Sequence, residues 1–219
     1  MQLLASGREA DVYDLGSGRV LRRSRHTADT TAEAEVMVRL ARHGFPVPAV
    51  YEATGPDLIM QRVAGPSMLT ALCAGDMDVA DAAATLADLH HRLHEIPVGA
   101  ERILHLDLHP DNVLLGPDGP VVIDWTNSVE GSPALDTAVS ALILAQVAVG
   151  GTELAGLADD LLRAFGPAVD AVTELAEALR LRRANPSMTE RELAELDQAA
   201  ELVRQVTGAQ ITGVLSPEL

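Results

Sequence analysis

The sequence predicts an α+β fold in which a strand-rich first part precedes a mainly helical second part. Short apolar runs separated by Gly-containing turns fill the first 63 residues, whereas apolar residues recur at helical spacing from Ala134 to about Val206. Hydrophobic residues make up 47% of the chain and aromatic residues only 2%, so Ala, Leu and Val must build the core. We therefore expect two lobes, one over residues 1–63 and a larger one over residues 64–219.

The elements of the first lobe follow in order. A hairpin is predicted from strands at Ala10–Leu15 and Arg19–Arg23, joined by Gly16-Ser17-Gly18. Helical spacing of apolar residues then predicts a helix over Thr30–His43. Two further strands are predicted at Ala49–Ala53 and Asp57–Val63, around the turn Gly55-Pro56. Together these elements predict a small antiparallel sheet with one helix.

The second lobe is predicted to be helical, with one hairpin inserted. Helices are expected at Met68–Cys73, at Val79–Leu93 and from Ala134 onward, and the hairpin pairs Val113–Leu115 with Val121–Ile123. The longest apolar stretch, Ala138–Gly151, is shorter than the roughly 20 residues that span a bilayer, which predicts a buried helix. Cys73, the only cysteine, excludes a disulfide within the chain, and we expect it to be a small buried hydrophobic residue.

The negative net charge of the chain indicates which classes of molecule it can bind. A formal net charge of −16 repels phosphate backbones and anionic lipid, so we expect neither nucleic-acid nor membrane binding, whereas a cationic substrate is compatible. Acidic residues recur along the C-terminal helices, and we interpret them as a solvent-exposed helical face. The alternative is that they line an acidic pocket for the substrate. Because Met1–Gly7 lacks the features of a signal peptide, we expect a cytoplasmic protein. The sequence does not indicate an oligomeric state.

The most specific motif is a run from His105 to Asn112 that contains Asp107, followed twelve residues later by Asp124 at the end of an apolar strand. Phosphoryl transfer needs a carboxylate that orients the acceptor hydroxyl and receives its proton. It also needs oxygen ligands for the divalent ion that neutralises the phosphates. The motif supplies both kinds of group.

This pattern resembles the catalytic loop and metal-binding aspartate of the protein-kinase-like fold. His109-Pro110 within the loop and Ile123-Asp124-Trp125 after it are similar to the aminoglycoside phosphotransferase and choline kinase branch. The resemblance implies that Asp107 is the catalytic base and that Asn112 and Asp124 hold Mg²⁺.

The same resemblance assigns supporting positions around the catalytic loop. His105 is implied to be structural, and His109 either approaches the substrate or shapes the turn. Asp136 is implied to be a buried support for the loop. His90 and His94 share one helix face, but with no third ligand of the right type evident we interpret them as an ordinary amphipathic helix end.

The resemblance implies that residues 1–63 form the nucleotide-binding lobe, with an ATP site, and that residues 64–219 form the catalytic and substrate lobe. Gly7 and Val12 belong to the phosphate-covering turn, and Gln61 and Val63 belong to the linker whose backbone meets adenine. Strand alternation puts Val20 and Arg22 on one face. The resemblance implies that Val20 lies toward adenine and Arg22 toward phosphate, where related kinases have lysine, and a solvent-facing Arg22 on an edge strand is the alternative. A carboxylate of the first helix should pair with Arg22, with Glu33 favoured over Glu35.

Together these features predict a Mg²⁺-dependent small-molecule kinase that moves the γ-phosphate of ATP to a hydroxyl of an aminoglycoside-like or other small alcohol. The alternative is a catalytically weak nucleotide-binding pseudokinase, because lysine is missing and the glycine turn is thin. A protein kinase is a third and weaker hypothesis, since little chain follows Asp124 for a peptide-docking region. The identity of the acceptor does not follow from the motifs.

Overall fold

A computed structural model describes residues 1–7, 9–26, 29–98, 101–186 and 188–208. The chain forms two compact units that interleave in sequence. The first unit comprises Met1–Thr70 and Asp111–Ser128, and the second comprises Ala71–Pro110 and Val129–Leu219. The division into lobes at residues 63 and 64 stays a prediction.

The first unit is built on an antiparallel sheet, whose strands and helix are β1 Gln2–Ser6, β2 Ala10–Gly16, β3 Arg19–Ser24, α1 Thr31–Arg42, β4 Val50–Thr54 and β5 Asp57–Gln61. The strand order is β1-β2-β3-β5-β4. Each strand pairs with its neighbour in the antiparallel sense, and Val12 of β2 lies opposite Arg22 of β3. The helix α1 buries Glu33, Ala34, Met37 and Leu40 on one face. The predicted strands and helix are confirmed, and β1 was not predicted.

The predicted second hairpin, β8 Val113–Gly116 and β9 Gly119–Val122, belongs to the first unit. Backbone hydrogen bonds attach it on both sides: the Leu115 N–H donates to the Pro66 carbonyl, and the Val122 N–H donates to the Pro46 carbonyl, each at 2.9 Å. Gly65 permits this contact, because its φ is +145° and a Cβ there would lie 2.0 Å from the Leu115 carbonyl oxygen. The segment after β5 therefore packs closely against the hairpin, because Gly65 has no side chain at the point of contact.

The second unit is mainly helical, as predicted. The helices that follow α1 in the chain are α2 Met68–Ala74, α3 Val79–Glu95, α4 Pro133–Val149, α5 Ala155–Phe165, α6 Leu175–Ala184 and α7 Glu190–Gly208. The helix α4 is buried from Asp136 to Gln146, carries most of the longest apolar stretch, and contacts α5, α6 and α7. Of the helices in the described part of the chain, none combines the length and apolar character needed to cross a bilayer.

A small sheet beside these helices was not predicted. Its strands, in the order β10-β7-β6, are β6 Pro97–Val98, β7 Glu101–Leu104 and β10 Val129–Gly131. They are too short to give a recognisable alternating pattern. The expectation for Cys73 was wrong, because this residue, near the end of α2, is exposed.

Candidate functional site

Two of the predicted site residues of the first unit, Glu33 and Asp124, meet at the guanidinium of Arg22. Arg22 Nη1 donates to Glu33 Oε2 at 2.8 Å, and Nη2 donates to Asp124 Oδ1 at 2.9 Å. The side chains of Arg22 and Glu33 are 7% and 8% exposed, whereas that of Asp124 is 35% exposed. One cation therefore connects the helix carboxylate with the carboxylate that follows the hairpin.

Strand alternation explains how Arg22 reaches this position. Arg22 points inward and is buried, whereas Arg23 points outward and pairs with Asp57 through two bonds of 2.6 Å. Of the two candidate partners, Glu33 pairs with Arg22 and Glu35 is exposed on the other side of α1. The expected ion pair is present. The role of Arg22 and Glu33 in nucleotide binding stays a prediction.

Burial raises the pKa of Glu33, the acid of this ion pair. Removing Glu33 from water raises its pKa, and the nearby Asp124 acts in the same direction. The charge of Arg22 opposes both effects. The pair therefore depends on Arg22 to keep a carboxylate ionised in a dry environment.

Thr126 is a member of this cluster that the sequence did not predict. Its hydroxyl accepts from Arg22 Nη2 at 2.6 Å and donates to Asp124 Oδ1 at 2.8 Å. Oδ1 is thus the oxygen of Asp124 that both neighbours use. Thr126 lies two residues after Asp124, but a threonine at that distance carries no distinctive signal in a single sequence.

A backbone hydrogen bond of the hairpin connects Asn112 with Ile123, the residue before Asp124. Asn112 ends a short 3₁₀ helix, Pro110–Asn112, and its carbonyl accepts from the Ile123 N–H at 3.0 Å. Asp124 then has a φ of +63°, a left-handed conformation that is costly for a residue with a Cβ. This conformation marks the turn out of β9, where the carboxylate reaches Arg22.

Trp125 anchors the turn that carries Asp124. Its side chain is fully buried, its Nε1 donates to the Val122 carbonyl at 3.1 Å, and its ring meets Phe45 edge to face at 5.7 Å. Ser128 Oγ donates to the Trp125 carbonyl at 2.7 Å. These contacts hold the backbone on either side of Asp124.

The predicted adenine and phosphate positions are distributed along the sheet. Val20 is 5% exposed and lies opposite Met60 of β5. The Gly7 N–H closes a turn onto the Ala10 carbonyl at 2.9 Å, while Arg8 of the predicted phosphate-covering turn lies outside the described residues. Gln61 pairs with Ala49 through its backbone N–H at 2.8 Å, and Val63 follows the end of β5. Their contacts with a nucleotide stay predictions.

The predicted base, Asp107, belongs to the second unit, where a buried carboxylate holds its loop. Asp136 Oδ1 accepts from the N–H groups of His105 and Leu106, at 3.1 and 2.7 Å. The Asp107 N–H in turn donates to His105 Nδ1 at 3.2 Å. The supporting roles expected for His105 and Asp136 agree with these contacts.

The backbone and one neighbouring ring define the surroundings of Asp107. Leu106 has a φ of +59°, so the chain reverses just before the carboxylate. His109 Nε2 lies 3.8 Å from Asp107 Oδ2, and both side chains are 25% exposed. Asp107 is thus a partly exposed acid on a loop that Asp136 holds, and its role as the base stays a prediction.

The interpretation of His90 and His94 needs correction. His94 Nε2 lies 2.9 Å and His90 Nδ1 lies 3.4 Å from Asp136 Oδ2. A third group of the right type therefore stands next to them, 42 residues beyond His94 in the chain. Helical spacing showed that the two histidines share a face, but only the packing of α3 against α4 brings Asp136 to that face.

The interactions of Asp136 fix its charge state. Burial acts to raise its pKa, but the neighbouring His90 and His94 rings outweigh burial and hold the pKa of Asp136 well below its usual range. Asp136 is therefore ionised at neutral pH. An ionised acceptor is the form that holds the two loop N–H groups most strongly.

Comparisons with known proteins assign a family to this arrangement. The chain matches the model of the phosphotransferase enzyme family, APH, over residues 1–102 and 70–175. Comparison with curated protein sequences gives no significant match.

Solved structures share the fold at low sequence identity. The ternary complex of APH(2")-IIa with streptomycin and ATP is 13% identical, with a TM-score of 0.57 and 92% of each chain covered. Amicoumacin kinase hAmiN, bound to AMP-PNP, Ca²⁺ and Ami, is 13% identical with a TM-score of 0.55, covering 94% of this chain and 88% of that one. A choline/ethanolamine kinase family protein from Mesorhizobium loti is 15% identical with a TM-score of 0.51, covering 95% and 92%. The predicted kinase-like α+β fold is confirmed.

Proposed function

Because the chain belongs to the APH phosphotransferase enzyme family, we propose that it transfers the γ-phosphate of ATP to a hydroxyl group of a small molecule. The observation that carries the proposal is the buried pair of Arg22 and Glu33 in contact with Asp124. A buried guanidinium directed at a partly exposed carboxylate is suited to a polyanionic substrate with its counter-ion. Solved structures with this fold contain ATP or AMP-PNP, which supports ATP as the donor.

In this proposal each residue has a separate task. Arg22 donates hydrogen bonds to the phosphates of ATP, and Glu33 keeps the guanidinium oriented and neutralised. Asp107 accepts a hydrogen bond from the acceptor hydroxyl and takes its proton as the phosphoryl group is transferred. Gly7, Val12, Val20, Gln61 and Val63 surround the nucleotide.

The residues proposed for Mg²⁺ fit that ion chemically. Asn112 offers an amide oxygen and Asp124 offers Oδ2, since Arg22 and Thr126 both use Oδ1. Hard oxygen ligands in small number are typical of magnesium sites that are completed by phosphates and water. Bound Mg²⁺ supplies the neutralisation of phosphate charge that lowers the barrier to transfer.

The test is ATP consumption by the full chain with Mg²⁺ and a panel of hydroxyl compounds: aminoglycosides, choline, sugars, homoserine and macrolides. We expect one class to give stoichiometric ADP and a phosphoester detectable by mass spectrometry. Asp107→Asn should lower turnover about 100-fold or more while leaving ATP binding intact. Asp118→Asn, at the exposed tip of the hairpin, is the matched control and should keep full activity.

A nucleotide-binding pseudokinase is the second candidate, and one contact favours it. Arg22 replaces the usual lysine and already bonds to Asp124, the residue proposed to bind the metal. This candidate predicts ATP binding without phosphoester formation for any member of the panel. ADP release that Asp107→Asn leaves unchanged would also contradict the enzyme proposal, since the proposed base would then have no role.

A further inference from the structure

Three potential metal ligands converge inside the second unit. His90 and His94 come from successive turns of α3, and Asp136 comes from the first turn of α4. One ligand atom from each residue lies within 4.8 Å of the others. His90 and Asp136 are 1% and 0% exposed, whereas the side chain of His94 is 11% exposed and reaches the surface. The proposed ATP and magnesium residues are different ones.

One ring nitrogen of His90, a member of this group, lacks a hydrogen-bond partner among the described residues. His90 Nε2 lies 3.0 Å from Ser140 Oγ, but Nδ1 has no hydrogen-bond partner in the described part of the chain. Nδ1 instead faces Asp136 Oδ2 at 3.4 Å, without the geometry of a hydrogen bond. A buried ring nitrogen without a hydrogen-bond partner costs stability. A cation bound by Nδ1 and by Asp136 Oδ2 would give this nitrogen a partner.

We propose that His90, His94 and Asp136 bind a divalent transition-metal ion of the zinc class, with three protein ligands and one position left for water. Two imidazole nitrogens and one carboxylate oxygen are ligands that zinc accepts and magnesium does not prefer. Histidines four residues apart on one helix can bind the same ion.

The distances agree with this assignment. With metal–ligand bonds of about 2.0–2.1 Å, ligand atoms around a tetrahedral ion lie about 3.4 Å apart. The separations of His94 and His90 from Asp136 Oδ2 are 2.9 and 3.4 Å, and all three ligand atoms lie within 4.8 Å of one another. His94, the most exposed of the three ligands, would move outward by about half an ångström to reach the tetrahedral spacing.

Neighbouring groups orient the ligands as they do in zinc proteins. Ser140 fixes the far nitrogen of His90, and the backbone N–H groups of His105 and Leu106 hold Asp136. Asp136 therefore links the proposed ion to the loop that continues into Asp107. Binding of the ion should stabilise this loop together with α3 and α4.

The experiment uses the full chain, stripped of metal by a chelator and dialysed, and titrated with Zn²⁺ against a chromophoric competitor. We expect one tight site, a melting temperature raised by about 5–10 °C at a hundredfold excess over Kd, and no competition by Mg²⁺. His90→Gln and His94→Gln should each weaken binding about 100-fold or more. His91→Gln, on the same helix with a side chain that is 75% exposed, is the matched control and should bind normally.

A second measurement covers the case in which a glutamine variant does not fold. Co²⁺ bound to the unmodified chain should give the strong visible absorption of a four-coordinate ion. Co²⁺ bound to the His94→Cys variant should add a thiolate-to-metal charge-transfer band that is absent from the unmodified chain. Failure to bind Zn²⁺, or binding that survives in both glutamine variants, would overturn the proposal and leave the three residues as a hydrogen-bonded group.

Discussion

Replacing Glu33 with glutamine removes one charge of a buried ion pair while nearly keeping the shape of the side chain. Glu33 Oε2 and Arg22 Nη1 lie 2.8 Å apart, and each side chain is under one-tenth exposed. At an effective dielectric constant of about 20, two unit charges at this distance attract by about 6 kcal/mol before desolvation is subtracted. The gross attraction is therefore large enough for its loss to be measured.

The net effect is smaller, because part of the environment of Arg22 remains. Asp124 still bonds to the guanidinium at 2.9 Å, and the glutamine oxygen can still accept one hydrogen bond. Removing one partner of a buried pair typically costs 3–5 kcal/mol, so we expect Glu33→Gln to cost about 3 kcal/mol. For a chain of this size that corresponds to a melting temperature about 6–12 °C lower.

The assay is thermal and denaturant unfolding of three proteins: the unmodified chain, Glu33→Gln and Glu35→Gln. Glu35 is exposed on the same helix, so Glu35→Gln should change stability by less than about 0.5 kcal/mol. If the two variants melt together, Glu33 does not stabilise Arg22 in the way argued above. Glu33→Gln should also weaken the binding of MgATP, whereas Glu35→Gln should not.

Two further perturbations test the glycine contact and the buried acid. Gly65→Ala should cost about 4 kcal/mol or more in denaturant unfolding, because a Cβ would meet the Leu115 carbonyl at 2.0 Å in a backbone with a φ of +145°. Asp136→Asn should cost about 3 kcal/mol at pH 7, measured without added metal. Because folding lowers the pKa of Asp136, its contribution is complete above the unfolded value of about 3.9 and is lost as the pH falls through the folded value, so the two proteins should converge in acid.

Each of these variants has its own control. Gly119→Ala places a Cβ at a φ of +120° with nothing within 4 Å, so it should show the cost of backbone strain without the clash. Equal losses for the two glycine variants would contradict the steric argument. For Asp136→Asn, a stability difference that stays constant from pH 7 down to pH 3 would show that ionisation of Asp136 does not support the fold.

Several features of the candidate site followed from the sequence alone. Asn112 and Asp124 flank a hairpin of two short apolar runs, and antiparallel pairing across such a short loop leaves few alternatives for their relative position. Strand alternation predicted that Val20 and Arg22 share a face, and the structure buries both residues. The kinase-like fold was predicted from the resemblance of the run between His105 and Trp125 to the catalytic loop and metal-binding aspartate of that fold.

The choice between Glu33 and Glu35 as the partner of Arg22 depended partly on the sequence and partly on the tertiary structure. Two residues along a helix are separated by about 200° of rotation, so only one of the two carboxylates can face the sheet. Helical periodicity establishes this exclusion. The orientation of α1, which buries Met37 and Leu40 together with Glu33, decides which carboxylate it is.

By itself the sequence determined most of the helices and strands, the run of polar residues from His105 to Asn112 with Asp124 after it, and the shared face of Val20 and Arg22, because these depend on residues close together in the chain. Tertiary structure alone decided that Thr126 joins Arg22, that Gly65 is fastened to Leu115, and that Asp136 meets His90 and His94. These contacts depend on which faces of separate elements pack together. Hydrophobic burial sets that packing over the whole chain, and no local pattern of residues encodes it.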